Sequence, residues 1–384
     1  MMDDRERVRT IFQRHFTGSP RLFRAPGRVN LIGEHTDYND GYVFPMAIDR
    51  YCAVAVRPRT DRALRVWSEN MGEAVEIDLA GSSAPHRHWS DYVTGMARVL
   101  ADEGIPLTGA DMAICSDVPV GSGLSSSAAI EISSALALLS TVNAEMERGQ
   151  LARLGQRAEN EFVGMNCGIM DQFISLHGEE GHALFLDCRT LGFEQVPLGD
   201  NKIRIVICNT MVRHELGESE YNKRRAECEQ GVELMRRRWP QIRALRDVEL
   251  EPFESHAGTL PEVVRRRCRH VISENERTMA SVEALRDGAL QRFGELMNES
   301  HDSLRDDYQV SCSELDTLVE IARDTPGIWG ARMTGGGFGG CTVNLVSADQ
   351  AESFCARIAE QYEKKTGLAT EIYVSMPARG AHEW

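Results

Sequence analysis

Hydrophobic positions along the chain follow two different rhythms. Val8, Ile11, Phe12 and Phe16 recur at helical spacing and predict an opening amphipathic helix. Short alternating runs at 51–56, 64–67 and 75–79 have the pattern of strands in one sheet. A helix over about 91–103, a strand near 110–115 and a helix from about 125 to 141 come next. A further helix from 148 to 162, ending near Gly164, and a strand at 182–187 complete the first half. Beyond it, IRIVICN at 203–209 reads as a buried strand, followed by long charged helices across roughly 218–238, 261–285, 288–299 and 311–324. Strands near 328–333 and 341–346, a helix at 348–364 and a strand at 370–375 close the pattern. With the extra helices set aside, the order is β-α-β-β-α-β, the ferredoxin-like arrangement.

At 384 residues the chain is long for one core, so two domains are expected. The change falls near 190–202, where LGFEQVPLGDN supplies Gly, Pro and Asp, and it divides the chain into 1–195 and 196–384. The net charge of −15 argues against a nucleic-acid partner, which needs a basic face. It leaves room for ATP, because a local cradle of amides binds phosphate in an acidic protein. Ten scattered cysteines without a CxxC pair read as buried thiols of a reducing compartment. The N-terminus is charged and lacks an apolar core, and the most apolar helix, around 128–142, is too short to span a bilayer. A cytoplasmic protein with no membrane partner is expected, as a monomer or weak homodimer.

Candidate chemistry concentrates in four segments. RAPGRVNLIGEHTDY at 24–38 is a dense polar stretch punctuated by Pro26, Gly27 and Gly33, so it forms no long helix. Its carboxylates, imidazole and guanidinium supply the donors and acceptors that a hydroxyl-rich small molecule requires. VPVGSGLSSSAAIEISSALALL at 118–139 is a strand exit, a Gly-Ser loop and a helix. Gly121 and Gly123 expose backbone N–H groups, Ser125, Ser126 and Ser127 add hydroxyls, and the helix dipole favours an anion there. By itself the loop would equally be a serine N-cap without a ligand. It is not the GxxxxGK[ST] nucleotide loop, since no lysine follows. RMTGGGFGGCTVNLV at 332–346 has five glycines in six residues, which implies close approach of a backbone or ligand. NCGIMDQFIS at 166–175 carries Asp171, which on its own would be a structural hydrogen-bond acceptor.

Together these segments resemble the galactokinases, within the superfamily that also holds homoserine, mevalonate and phosphomevalonate kinases. The Arg24–Tyr38 stretch is similar to the galactokinase signature, and 119–129 matches the PxGxGLSSSAA motif. The likeness continues through LRD at 245–247 and RRRCRHVISENERT at 265–278. It implies an α+β fold of two domains: an N-terminal mixed-sheet domain and a C-terminal ferredoxin-like domain with helical insertions. It implies a Mg2+-dependent transfer from ATP, the co-substrate, to the anomeric hydroxyl of α-D-galactose, the first kinase step of galactose metabolism. Asp171 would be the catalytic carboxylate, as base or as orienter of the hydroxyl, with Arg28 beside it. Glu34, His35, Thr36, Asp37, the Gly168 backbone and Tyr221 would join Arg28 and Asp171 in binding sugar. Gly121, Ser122, Gly123, Leu124, Ser125, Ser126 and Ser127 would hold the triphosphate, with Ser127 and Glu159 on the metal. Trp89 would stack on adenine or simply pack.

Two alternatives stand beside this reading. N-acetylgalactosamine kinases usually carry isoleucine where this chain has Thr36, which favours the unmodified sugar. A non-catalytic galactose sensor would have lost residues from the loop that here runs intact from Gly123 to Ala129.

Overall fold

The computed structural model describes residues 3–81, 84–199, 202–213 and 217–384. Helix α1 (Asp4–His15) is capped by the Asp3 side chain and buries Val8, Ile11 and Phe12. Strand β1 (Arg21–Asn30) leads through a turn-rich segment to β2 (Tyr42–Val43), β3 (Pro45–Pro58), β4 (Ala63–Ser68) and β5 (Glu73–Asp78). The first seven residues of the polar stretch at 24–38 are therefore most of a strand. It tolerates Pro26 and Gly27 because the β1–β3 register shifts between Pro26 and Arg28. At such a bulge the missing proline N–H breaks no ladder bond, and the Arg28 N–H turns instead to the Leu124 carbonyl, 3.1 Å away.

Helix α2 (Ser90–Asp102), β6 (Ala110–Ser116), α3 (Ser126–Thr141) and α4 (Arg148–Arg157) follow. The single helix expected over 148–162 instead passes into a π-helical turn at Ala158–Val163, ended by Gly164 in the left-handed region. Helix α5 (Met170–His177), β7 (His182–Asp187) and β8 (Phe193–Pro197) complete this half. The first sheet has the order β13-β1-β3-β6-β4-β5, where β13 (His382–Glu383) arrives from the far end of the chain. Only β4 and β6 run parallel in it, so the sheet is mixed.

The second half opens with β9 (Ile203–Arg213) and α6 (Gly217–Met235), followed by α7 (Leu250–His256), α8 (Glu262–Arg286), α9 (Leu290–Ser303) and α10 (Ser313–Arg323). Strands β10 (Ile328–Thr334) and β11 (Gly339–Ser347), helix α11 (Ala351–Thr366) and β12 (Glu371–Ser375) follow. The sheet order β10-β11-β9-β12, antiparallel throughout, is that of a ferredoxin-like unit into which α6–α9 are inserted.

The expected division after residue 195 falls inside β8, which pairs with β7 up to Pro197. Asp200 and Asn201 of the expected linker lie outside the described residues. Ile203, Ile205 and Ile207 of β9 pack into the same apolar cluster as Val54, Leu138 and Phe173, so the two halves share a core. All ten cysteines are free thiols, six of them buried. No helix among the described residues is long and apolar enough to cross a membrane.

Candidate active site

A cavity of about 410 Å³ lies between the halves and collects most of the residues singled out from sequence. Asp171 sits in the first turn of α5 and Arg28 at the β1 bulge. Arg28 donates Nε–H to Asp171 Oδ1 at 2.8 Å and Nη2–H to Oδ2 at 3.0 Å, a two-pronged pair. Its remaining nitrogen, Nη1, donates to the Gly123 carbonyl at 2.5 Å. Burial disfavours the Arg28 charge, but Asp171 and then Glu34 outweigh it and raise its pKa. Arg28 is thus held charged in a confined site.

Ser125 stands at the N-cap of α3 in the left-handed region, yet makes no capping bond. Its hydroxyl donates to Asp171 Oδ2 at 2.5 Å. One loop therefore presents Gly121, Gly123, Ser126 and Ser127 to the cavity and also grips the carboxylate. Two loop residues do not face the cavity. Ser122 donates to the Pro119 carbonyl at 2.8 Å, and Leu124 is buried in the core, so only their backbones are available to a ligand.

Glu159 and Ser127 both line the cavity, and Ser127 stands close enough to Glu159 to act on its carboxyl. Burial, then the charge of Asp171, raises Glu159 to about 7. Glu159 stands in the π-helical turn, an element frequent at functional sites. A hydroxyl and one carboxylate suit a magnesium ion that keeps waters and phosphate oxygens as its other ligands. Gln172 donates to Glu159 at 2.7 Å and to the buried Glu131 at 3.0 Å.

The sugar-signature residues converge on the other side of Asp171. Burial and the Asp171 charge raise Asp37 to about 6, although its carboxylate receives N–H bonds from Tyr38 and Met170. A Cβ on Gly168 would lie 2.0 Å from Asp37 Oδ2, so only glycine permits that approach. Glu34 Oε1 accepts from the Gly335 N–H at 2.7 Å and the Thr334 hydroxyl at 3.1 Å, tying the signature to the second half. His35 has φ +64° and bonds Tyr38 through Nδ1 at 2.7 Å, while its buried Nε2 has no hydrogen-bond partner. Burial lowers its pKa well below the usual value, so the imidazole is neutral. Tyr221 packs 5.5 Å from the His35 ring and lines the cavity. Thr36, expected to touch sugar, does not reach the cavity. It is fully buried, with its hydroxyl 2.8 Å from the Gly33 carbonyl and 2.7 Å from that of Tyr42.

The glycine cluster at 335–340 meets the phosphate loop backbone to backbone. A Cβ on Gly335 would stand 2.8 Å from the Gly123 carbonyl oxygen. Trp89 lines the cavity with its indole N–H on Glu73, 2.5 Å away. The same cavity is lined by Met71, Tyr92, Ile114, Val120 and Ile130, an apolar set that sequence reasoning missed. Isolated apolar residues on separate elements carry no pattern; the exposure of Met71 and Val120 is visible only in three dimensions.

The two halves match two recognised descriptions. Residues 91–179 correspond to the GHMP kinases N terminal domain and 281–364 to the GHMP kinases C terminal, so the protein is a kinase of that superfamily and uses ATP. A crystal structure of Methanococcus jannaschii mevalonate kinase shares the fold at 20% identity, with a TM-score of 0.65 over 94% of this chain and 99% of that one. Residues 10–58 match the galactokinase galactose-binding signature. The galactokinase of Chloroflexus aurantiacus is 50% identical over 371 residues, 96% of this chain and 95% of that protein. That of Chloroflexus aggregans is 48% identical over 377 residues, 97% and 96% respectively. The structure of Lactococcus lactis galactokinase complexed with galactose superimposes with a TM-score of 0.95, covering 100% of both chains at 38% identity. The chain belongs to the galactokinase family.

Proposed function

We propose that the protein transfers the γ-phosphoryl group of ATP to the anomeric oxygen of α-D-galactose, giving galactose 1-phosphate and ADP. The observation that carries this reading is the grip of Arg28 and Ser125 on Asp171 between the sugar signature and the phosphate loop. Phosphoryl transfer needs chiefly positioning and charge stabilisation, plus one group to accept or orient the hydroxyl proton. Asp171 is that group, and the guanidinium of Arg28 beside it lowers the proton affinity of the nearby hydroxyl. Glu34, His35, Asp37, the Gly168 backbone and Tyr221 bind the sugar hydroxyls. The free Nε2 of His35 and the ionised Asp37 supply a donor or acceptor each.

The α3 N-terminus and the amides of 121–127 bind the triphosphate, and the apolar end around Trp89 takes the base. Ser127 and Glu159 would hold Mg2+, which would neutralise phosphate charge when bound. Residues 1–197 supply the carboxylate, most sugar contacts and the side chains that would hold the metal, and residues 203–384 close the cleft with Tyr221 and the glycine cluster.

A coupled ADP-release assay with ATP, magnesium and a panel of acceptors (galactose, N-acetylgalactosamine, glucose, arabinose, mevalonate, homoserine) tests the reading. Galactose should be the best acceptor. Sugar binding without turnover would point to a sensor, and a better rate with another acceptor would reassign the substrate.

A further inference from the structure

One motif of the sequence, RRRCRHVISENERT at 265–278, takes no part in the reaction as described, yet its inward face carries a buried polar cluster. Glu274 of α8 is fully buried. Its Oε1 accepts the Gly33 N–H at 3.0 Å, the Glu34 N–H at 3.4 Å and the Ser300 hydroxyl at 2.6 Å. Its Oε2 accepts from Arg277 Nε at 2.8 Å. One turn earlier, His270 Nε2 lies 3.1 Å from the Glu34 carbonyl and Nδ1 lies 2.9 Å from the Ser303 hydroxyl. A carbonyl can only accept, so Nε2 carries the proton and Nδ1 accepts from serine. Neither residue lines the cavity.

We propose that Glu274 and His270 are positioning residues for sugar recognition: they hold the Glu34 peptide by its N–H and its C=O, which aims the Glu34 and His35 side chains into the cavity. The segment from Gly33 to Thr36 belongs to no helix or strand, so its shape has to be imposed from outside. The next residue, His35, is held at φ +64°, a region a non-glycine side chain occupies only when its surroundings over-determine it. Glu274 can do this because it is a charged acceptor. Burial opposes its ionisation, but Arg277 above all outweighs that and holds it down at about 2. Charge-assisted bonds to backbone N–H groups are roughly twice as strong as neutral ones. The helix that fixes the sugar loop therefore belongs to the second half of the molecule.

The inference rests on the galactokinase reading, and the experiment separates the two. Steady-state constants for galactose and for ATP, with calorimetric galactose binding, would be measured for wild type, Glu274→Ala, Glu274→Gln and His270→Ala. Glu274→Ala is expected to raise the galactose KM about tenfold or more with the ATP KM within about twofold, and His270→Ala to raise it several-fold. Glu274→Gln should recover only part of the loss, because its amide oxygen still accepts from Gly33 but without the charge. Equal changes in both KM values, or a loss confined to the folded fraction, would overturn the proposal. If Glu274→Ala fails to fold, an unchanged galactose KM in His270→Ala overturns it alone. Wild-type protein that neither binds nor phosphorylates galactose would end the functional reading, and this inference with it.

Discussion

Ser125 occupies the N-cap of α3 but gives its hydroxyl to Asp171. A serine at this position ordinarily satisfies an N–H of its own helix, a bond of about 1 kcal/mol. Here the left-handed backbone, φ 58°, turns the side chain away from the helix and onto the carboxylate. That leaves the helix's first N–H groups free for an anion.

Ser125→Ala should therefore cost catalysis more than stability. The expected result is a kcat about tenfold lower with the galactose KM nearly unchanged, since the bond orients Asp171 chiefly for the transition state. Stopped turnover assays beside a thermal melt check this. A large drop in melting temperature with kcat intact would return Ser125 to an ordinary capping role.

Asp171→Asn keeps the shape of the site and removes the negative charge paired with Arg28. Turnover should fall by about a thousandfold or more while calorimetric galactose affinity stays within a few-fold, as the proposed action of this group on the departing proton requires. Near-wild-type kcat would remove Asp171 from the chemistry.

The pH behaviour of Asp37 has a definite sign. Its folded pKa is raised to about 6 by burial and Asp171, whereas an unfolded aspartate ionises near about 3.9. Between those values the folded chain retains a proton that the unfolded chain has released, so this group's contribution to stability declines as pH rises through the window. Above it the penalty is constant at about 2 kcal/mol, allowing for water in the cavity. Asp37→Asn should stabilise the ligand-free protein by roughly that amount at pH 7.5, in urea unfolding, and the gain should shrink towards nothing near pH 4. The same variant should bind galactose weakly. A gain independent of pH would contradict the assignment.

Gly168→Ala places a methyl group where Asp37 Oδ2 stands, 2.0 Å from the new carbon. The carboxylate must swing aside, so the galactose KM should rise about tenfold while the ATP KM holds. Competitive binding measurements with each ligand read this directly. Equal effects on both would mean the cleft as a whole had shifted.

Glu159→Gln should raise the magnesium concentration for half-maximal rate about tenfold or more without altering galactose binding. In the unaltered enzyme, burial and Asp171 hold Glu159 at about 7. Metal uptake should then release protons and tighten as pH rises through neutrality. A magnesium requirement flat across pH 6–8 would place the ion elsewhere.

Most helices were legible from periodicity, with ends within a few residues, because each buries one apolar stripe. The ferredoxin-like order was legible for the same reason once the insertions were set aside. Strand β1 was not, because Pro26 and Gly27 read as turn signals, and only the bulge opposite β3 accommodates them. Helix α5 spans only eight residues, too few for a clear period. In the site, Arg28, Glu34, His35, Asp37 and Asp171 reach the cavity, whereas the motif residues Arg24, Thr36, Ser122, Leu124, His270 and Glu274 turn away from it. A motif records which residues travel together, and it does not distinguish a side chain aimed at ligand from one bracing the backbone behind it.

The short strand β13 has a consequence for how the molecule is made. It pairs with β1, the Trp384 N–H bonds the Leu22 carbonyl, and Arg24 lies between the rings of Tyr51 and Trp384. Until residues 382–384 leave the ribosome, β1 has an open flank, and an unpaired strand flank is a template for sticking to other chains. Maturation of the sheet that carries Arg28 is therefore tied to translation of the distal segment, and a product released early would be aggregation-prone as well as shortened.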